Sequence, residues 1–289
     1  MRNLVIRCVI FCLVVGLVAL IASDLYDTYC NSGSDVNSVA VCGDSLDNKR
    51  METREHVISA LESVGCVVTP VPTRGDLVKQ RITSIYLSEV KSCREKGFVR
   101  VYVDLDQIIS FAFDENEDFL SDWASFVRKN REMPCADASL ILQNRMSDIK
   151  EMYESDIDWE KDVIGEKRVT NSFSISYVEV DSDAALYSVD IPVKSVEDVF
   201  CYLPFGGGDC PGPQEHRSIA KYWYEKYGAV PCYMAGDVLQ FYVEKPIREA
   251  DAEALAREQY AYCVDIVDQG CNSIWNLADA LPKSKFWFF

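Results

Sequence analysis

The chain has 289 residues, 48% of them hydrophobic and 26% charged, which is enough to bury a sizeable core and unlike a disordered, collagenous or multi-span membrane chain. Asp and Glu number 46 against 29 Lys and Arg, a formal net charge of −17, so nucleic-acid phosphates would meet a repulsive field and no nucleic-acid partner is expected. The only histidines are His56 and His216, which excludes a three-histidine zinc site and leaves little room for a histidine relay.

Arg2 and Arg7 flank the start of an apolar stretch that becomes uncharged from Cys8 to Ser23, and Asp24 and Asp27 follow it. A helix of that length covers about 24 Å, and more if Arg7 snorkels to the head groups. Residues 1–23 therefore read as a signal peptide or membrane anchor, with residues 4–23 in the membrane and the rest outside the cytoplasm. Leu20 or Ile21 would stand where a secretory cleavage site wants a small residue, which favours an anchor. Twelve cysteines are many; outside the cytoplasm they permit disulfides, but no C-x-x-C spacing occurs and several lie in apolar runs that suit buried thiols.

After a polar spacer at 24–37, residues 38–133 read as an N-terminal α/β half. A strand is expected at 38–42, a helix at 51–64 closed by Gly65, a strand at 66–71, a helix at 76–96 closed by Gly97, and a strand at 98–105. Residues 134–289 read as a C-terminal domain behind an acidic helical lead-in. Phe119, Trp123, Phe126 and Val127 make a helical stripe before Pro134, and Leu140, Ile141, Met146 and Ile149 make another after it. Residues 172–180 and 185–191 read as a hairpin and 199–205 as a strand, followed by Gly206-Gly207-Gly208. Pro213 opens a helix to Tyr227 with Gly228 beyond it, strands follow at 229–234 and 238–243, and helices at 247–263 and 274–281 precede a terminal aromatic strand. The expected class is α/β to α+β: a mixed sheet with helices packed on it, preceded by one N-terminal apolar helix.

Several segments carry a family likeness: Ile191-Pro192-Val193-Lys194, Tyr202-Leu203-Pro204-Phe205-Gly206-Gly207, the run from Lys221 to Pro231, Glu258-Gln259-Tyr260, Asp265 to Gly270, and Leu277-Ala278-Asp279. In order and spacing these resemble a bacterial family known only as a domain of unknown function. Leu61 to Pro72 and Lys96-Gly97-Phe98 are similar to its front half, so the likeness is expected to extend over most of the chain after residue 57. The resemblance implies a mixed α/β fold and no particular activity. Gly208 and Asp209 depart from the tryptophan and polar pair of that pattern, and Gly236 stands where a histidine often precedes the aspartate.

The glycine run lacks the Lys-Ser or Lys-Thr of a phosphate loop, and Asp114, Asn116 and Asp118 begin a calcium-loop pattern that Phe119 and Ser125 break. No cofactor or metal is expected. No G-x-S-x-G or H-E-x-x-H occurs, and Cys210 with His216 lacks a same-face spacing for a nucleophile and base. Glu225, Glu258 and Asp265 are the carboxylates that could act in acid or base chemistry, with Asp268 nearby. Tyr222, Tyr224 and Tyr227 crowd one helix as candidate recognition residues, and Gln259 sits on an apolar face where burial would demand partners. The reading favoured by charge, aromatic helices and missing motifs is an acidic module that binds a basic protein or peptide, toxin neutralisation being one use. A carboxylate-dependent hydrolase and a thiol protein are the rivals.

Overall fold

The computed structural model describes residues 51, 53–73, 77–115, 122–153, 157–167, 174–180, 184–205 and 211–289. The apolar segment at 4–23, the strand expected at 38–42 and the glycine run at 206–208 lie outside the described residues. Residues 52–289 form one compact unit.

Alternation along the central strands explains how that unit is layered. In β2 (Val99–Asp104) the side chains of Val99, Val101 and Val103 enter one apolar cluster and Tyr102 enters another on the opposite face. The same split holds for β5 (Val238–Tyr242), with Leu239 and Phe241 on one side and Val238 and Tyr242 on the other. A sheet apolar on both faces must be covered twice. Helix α2 (Val78–Glu95) covers one face with Val78, Ile82 and Tyr86. The other face carries α1 (residues 53–63), α4 (Trp123–Glu132), α5 (Ala138–Tyr153), α6 (Val199–Tyr202), α7 (Pro213–Tyr227), α8 (Glu249–Tyr262) and α9 (Ile274–Ala280).

The sheet has six strands in the order β1-β3-β2-β4-β5-β6, with β1 at Val67–Pro70, β3 at Leu186–Ile191, β4 at Val230–Ala235 and β6 at Phe286–Phe288. Among the described residues only β2 and β4 pair in parallel; the remaining pairs are antiparallel. This is an α+β mixed sheet, and it draws strands from both sides of residue 134. A register shift between Pro231 and Tyr233 leaves Cys232 as the extra residue of a bulge.

Three local expectations are corrected. Residues 174–180 do not form a strand, and β3 lies between β1 and β2 instead of closing a hairpin with them as neighbours. Residues 199–205 begin as a helical turn, α6, after a 3-10 turn at Val196–Asp198; an unbroken apolar run has no period to distinguish strand from buried helix. Leu105, read as strand, begins α3 (Leu105–Glu115), because the buried Asp104 carboxylate accepts hydrogen bonds from the backbone N–H of Asp106 at 3.1 Å and Gln107 at 3.4 Å.

Cys66, Cys93, Cys135, Cys201, Cys232 and Cys271 are free thiols. Burial pushes Cys66 up to about 12, and Cys201 and Cys271 up to about 11, away from the thiolate that chemistry requires.

Candidate functional site

Helix α7 starts at Pro213, whose missing N–H costs nothing at the first position, and Gly228 at φ +73° stops it. One face of α7 goes to the core. Trp223 is fully buried, stacks on Phe289 at 5.6 Å and meets Phe241, Tyr262 and Trp287 edge-on or tilted at 5.1–5.7 Å. The positions beside Trp223 then face α8. Tyr222 donates to Glu258 Oε1 at 2.8 Å, Trp223 Nε1–H donates to Glu258 Oε2 at 3.1 Å, and Tyr227 reaches the same oxygen at 3.5 Å.

Lys226 completes the cluster. It lies one turn on from Tyr222, donates to the Tyr222 hydroxyl at 2.5 Å and to Glu258 Oε1 at 2.7 Å, and sits 4.9 and 5.0 Å from the ring centres of Tyr222 and Tyr227. Burial pulls the Lys226 ammonium down, but its bonds to Glu258 and the two tyrosines outweigh that and raise its pKa. Burial pushes the Tyr227 hydroxyl up to about 12 against the pull of Lys226. The cluster borders a cleft of about 310 Å³ between α5, α7 and α8, which Gln143, Tyr222, Arg257 and Glu258 help to line.

The remaining candidates lie apart from it. Glu225 is exposed and takes no part in the cluster. Tyr224 points to α2, where Arg94 donates to its hydroxyl at 2.5 Å and sits 4.9 Å from its ring centre. Asp265 is exposed beyond α8 and accepts from Gln269 Nε2 at 2.8 Å. Asp268 accepts from Tyr153 at 3.1 Å and Tyr260 at 3.3 Å; burial and then the Asp265 charge raise its carboxyl pKa against those hydroxyls. Among the described residues no group of three or more His, Cys, Asp or Glu is placed to hold a metal ion.

Gln259 is fully buried, with no hydrogen-bond partner at Oε1 or Nε2. It helps to line an apolar cavity of about 280 Å³ between α8, a π-helical turn at Ile266–Cys271, α9 and the edge strand β6. Trp287 lines the same cavity, and its buried Nε1–H also lacks a partner.

Two residues that matter here carry weak sequence signals. Lys226 could have been found from its four-residue spacing to Tyr222. His216 could not: it is buried between Phe200 and Phe205 at 5.5 and 5.0 Å, with Nδ1 2.7 Å from the Tyr262 hydroxyl. Desolvation, aided by the charge of Arg145, pulls it down to about 3. It is a neutral core residue in a site that excludes water.

Comparison with curated proteins and with solved structures gave no match for the chain. The sequence model of a domain of unknown function, DUF4253, matches residues 187–289, the stretch that carries the Glu258 cluster, Gln259 and nearly the whole cavity wall.

Proposed function

We propose that this protein is a non-catalytic binding module, held outside the cytoplasmic membrane by residues 4–23, that recruits a basic protein or peptide. Neutralising a basic toxin is one use such a module would serve. The observation that carries the reading is the exposure of Asp148, Glu151, Asp158, Glu160 and Asp162 on α5 and the turn after it. Between residues 148 and 166 the sequence has eight carboxylates against two lysines. Met152, one helical turn from Asp148 on α5, is 69% exposed, so apolar contact is on offer within a field that steers cations.

A hydrolase using Glu225, Glu258 or Asp265 has less support. Catalysis needs a carboxylate free to take or give a proton at a reacting atom. Both oxygens of Glu258 are committed to neighbouring donors, and Glu225 and Asp265 lie outside its cluster.

The test is titration with a short peptide rich in lysine and arginine, followed by fluorescence anisotropy at low and high salt. Binding is expected at low salt, weakening as salt rises and again in the combined variant Asp148→Asn, Glu151→Gln, Glu160→Gln. Binding that ignores both salt and those three substitutions, or no binding at low salt, refutes the reading.

A further inference from the structure

Helix α2 ends where the sheet opens. Strands β2 and β4 pair only from Tyr102↔Tyr233 to Asp104↔Ala235, so Val99 and Val230 at their near ends lie outside that ladder. Both line a cavity of about 530 Å³ beside the C-terminal half of α2, a volume within the roughly 300–1,000 Å³ of small-molecule sites. Phe98, Val193-Lys194 and Gly228 line it too, so three of the segments that carry the family likeness meet at this place.

The wall combines apolar surface with charge. Leu87, Val90, Val230 and Tyr242 supply the first; Lys91, Arg94 and Lys194 supply three cations against the carboxylates of Glu95 and Glu244. That is an excess of one positive charge in a chain whose formal net charge is −17. Among the described residues none of these five charged groups forms an ion pair. Lys91, Glu95, Lys194 and Glu244 are exposed. Arg94 is held differently: it is half-buried, its guanidinium lies 4.9 Å from the Tyr224 ring centre, and one N–H donates to the Tyr224 hydroxyl at 2.5 Å. The rest of its fork has no partner among the described residues, so a planar set of donors is already oriented. The carbonyls at the end of α2, which would repel an anion, are closed. Those of Ser92, Cys93 and Arg94 accept from the N–H of Lys96, Phe98 and Gly97 at 3.0–3.2 Å.

We propose that this cavity binds a small monocarboxylate with an apolar body of one or two rings. The carboxylate would take the unused Arg94 donors, with Lys91 and Lys194 as nearby charges, and the body would lie on Leu87, Val90 and Tyr242. One net positive charge matches one carboxylate, whereas Glu95 and Glu244 would repel a phosphate dianion. The site is independent of the acidic face on α5.

Three probes of one shape and different charge decide the matter: 2-naphthylacetate, 2-naphthaleneethanol and 2-naphthaleneethylamine. The readout is the backbone amide resonances of Phe98, Lys194 and Gly228 in nitrogen-correlated NMR spectra. The acetate is expected to shift all three saturably and to weaken as salt rises. The alcohol and the amine should be at least about tenfold weaker, as the loss of charge-assisted hydrogen bonds implies. Arg94→Gln should weaken the acetate by about tenfold or more. Lys194→Gln, at an exposed position that leaves the fold alone, should weaken it about two- to fivefold, and carries the test if Arg94→Gln lowers the thermal midpoint. Glu244→Gln should hold or tighten binding. Equal binding of the alcohol and the acetate would mean a merely greasy cavity and overturn the proposal. So would the absence of saturable shifts at these amides, weaker binding of the acetate in Glu244→Gln, or an affinity unchanged in Lys194→Gln.

Discussion

Glu258 and Gln259 are consecutive on α8, yet the carboxylate of the first is bonded by Tyr222, Trp223 and Lys226 while the carboxamide of the second is buried with no partner. Successive helical positions differ by about 100°, so one residue faces α7 and the next turns into the apolar interior. Of the two adjacent positions, the first braces α7 against α8.

The bracing task has a measurable consequence. Glu258→Ala strands the buried Trp223 N–H and leaves Lys226 without its counter-ion, which should cost about 2–3 kcal/mol of unfolding free energy. Glu258→Gln keeps one acceptor oxygen but sets an NH2 where the other stood, so it serves either Trp223 or the Lys226 side and should recover only part of that loss. Urea denaturation of the two variants checks the order; equal losses in the Gln and Ala variants would mean that the carboxylate charge, rather than its hydrogen bonds, holds α7 on α8.

How much of this could be read beforehand depends on the range of the interaction. Helix α7 was legible because Pro213 and Gly228 punctuate it locally, and β4 and β5 because Gly236-Asp237 marks the turn between them. The position of β3 between β1 and β2, and the parallel pairing of β2 with β4, rest on contacts far apart in sequence that no local signal encodes. Helix α3 went unread although Asp104 before Leu105-Asp106-Gln107 is a capping signal, because the preceding valines favoured extending the strand. At the site, Glu258 and Gln259 could be singled out by type and place. Their surroundings could not, since Lys226 and Trp287 reach them only through tertiary packing.

Acid stability should depend on His216. Its pKa is pulled from 6.5 down to about 3 in the folded protein, first by desolvation. The unfolded chain therefore binds this proton below pH 6.5 while the folded protein does not until about pH 3, so the contribution is complete above the first value and is lost as pH falls toward the second. The slope of that loss approaches about 1.4 kcal/mol per pH unit in the middle of the window. His216→Phe keeps a ring beside Phe200 and removes the titration; it also removes the His216 bond to the Tyr262 hydroxyl, a loss that does not change with pH. Urea denaturation from neutral pH into the acid range should show the native protein losing stability faster than the variant. Parallel curves would place the acid-sensitive group elsewhere.

Gly165 and Gly97 contrast a crowded glycine with an open one. Both have positive φ, +74° and +86°. A Cβ on Gly97 would meet nothing within 4 Å, whereas one on Gly165 would lie 2.6 Å from Ser273 Cβ and 2.9 Å from Ser273 Oγ. Ser273 is buried and caps α9, its Oγ accepting from the Asn276 N–H at 3.1 Å. Gly97→Ala should therefore cost only the left-handed backbone penalty, about 1 kcal/mol. Gly165, at φ +74° and ψ −173°, lies where essentially only glycine goes, so Gly165→Ala combines a larger backbone penalty with displacement of Ser273 and a weakened cap, and should cost about 2–4 kcal/mol. Thermal unfolding of the two variants, with hydrogen exchange at Asn276, reads both parts: the larger loss and the faster exchange belong to Gly165→Ala. Equal midpoints with protected exchange would show that the turn before α9 can move aside without strain.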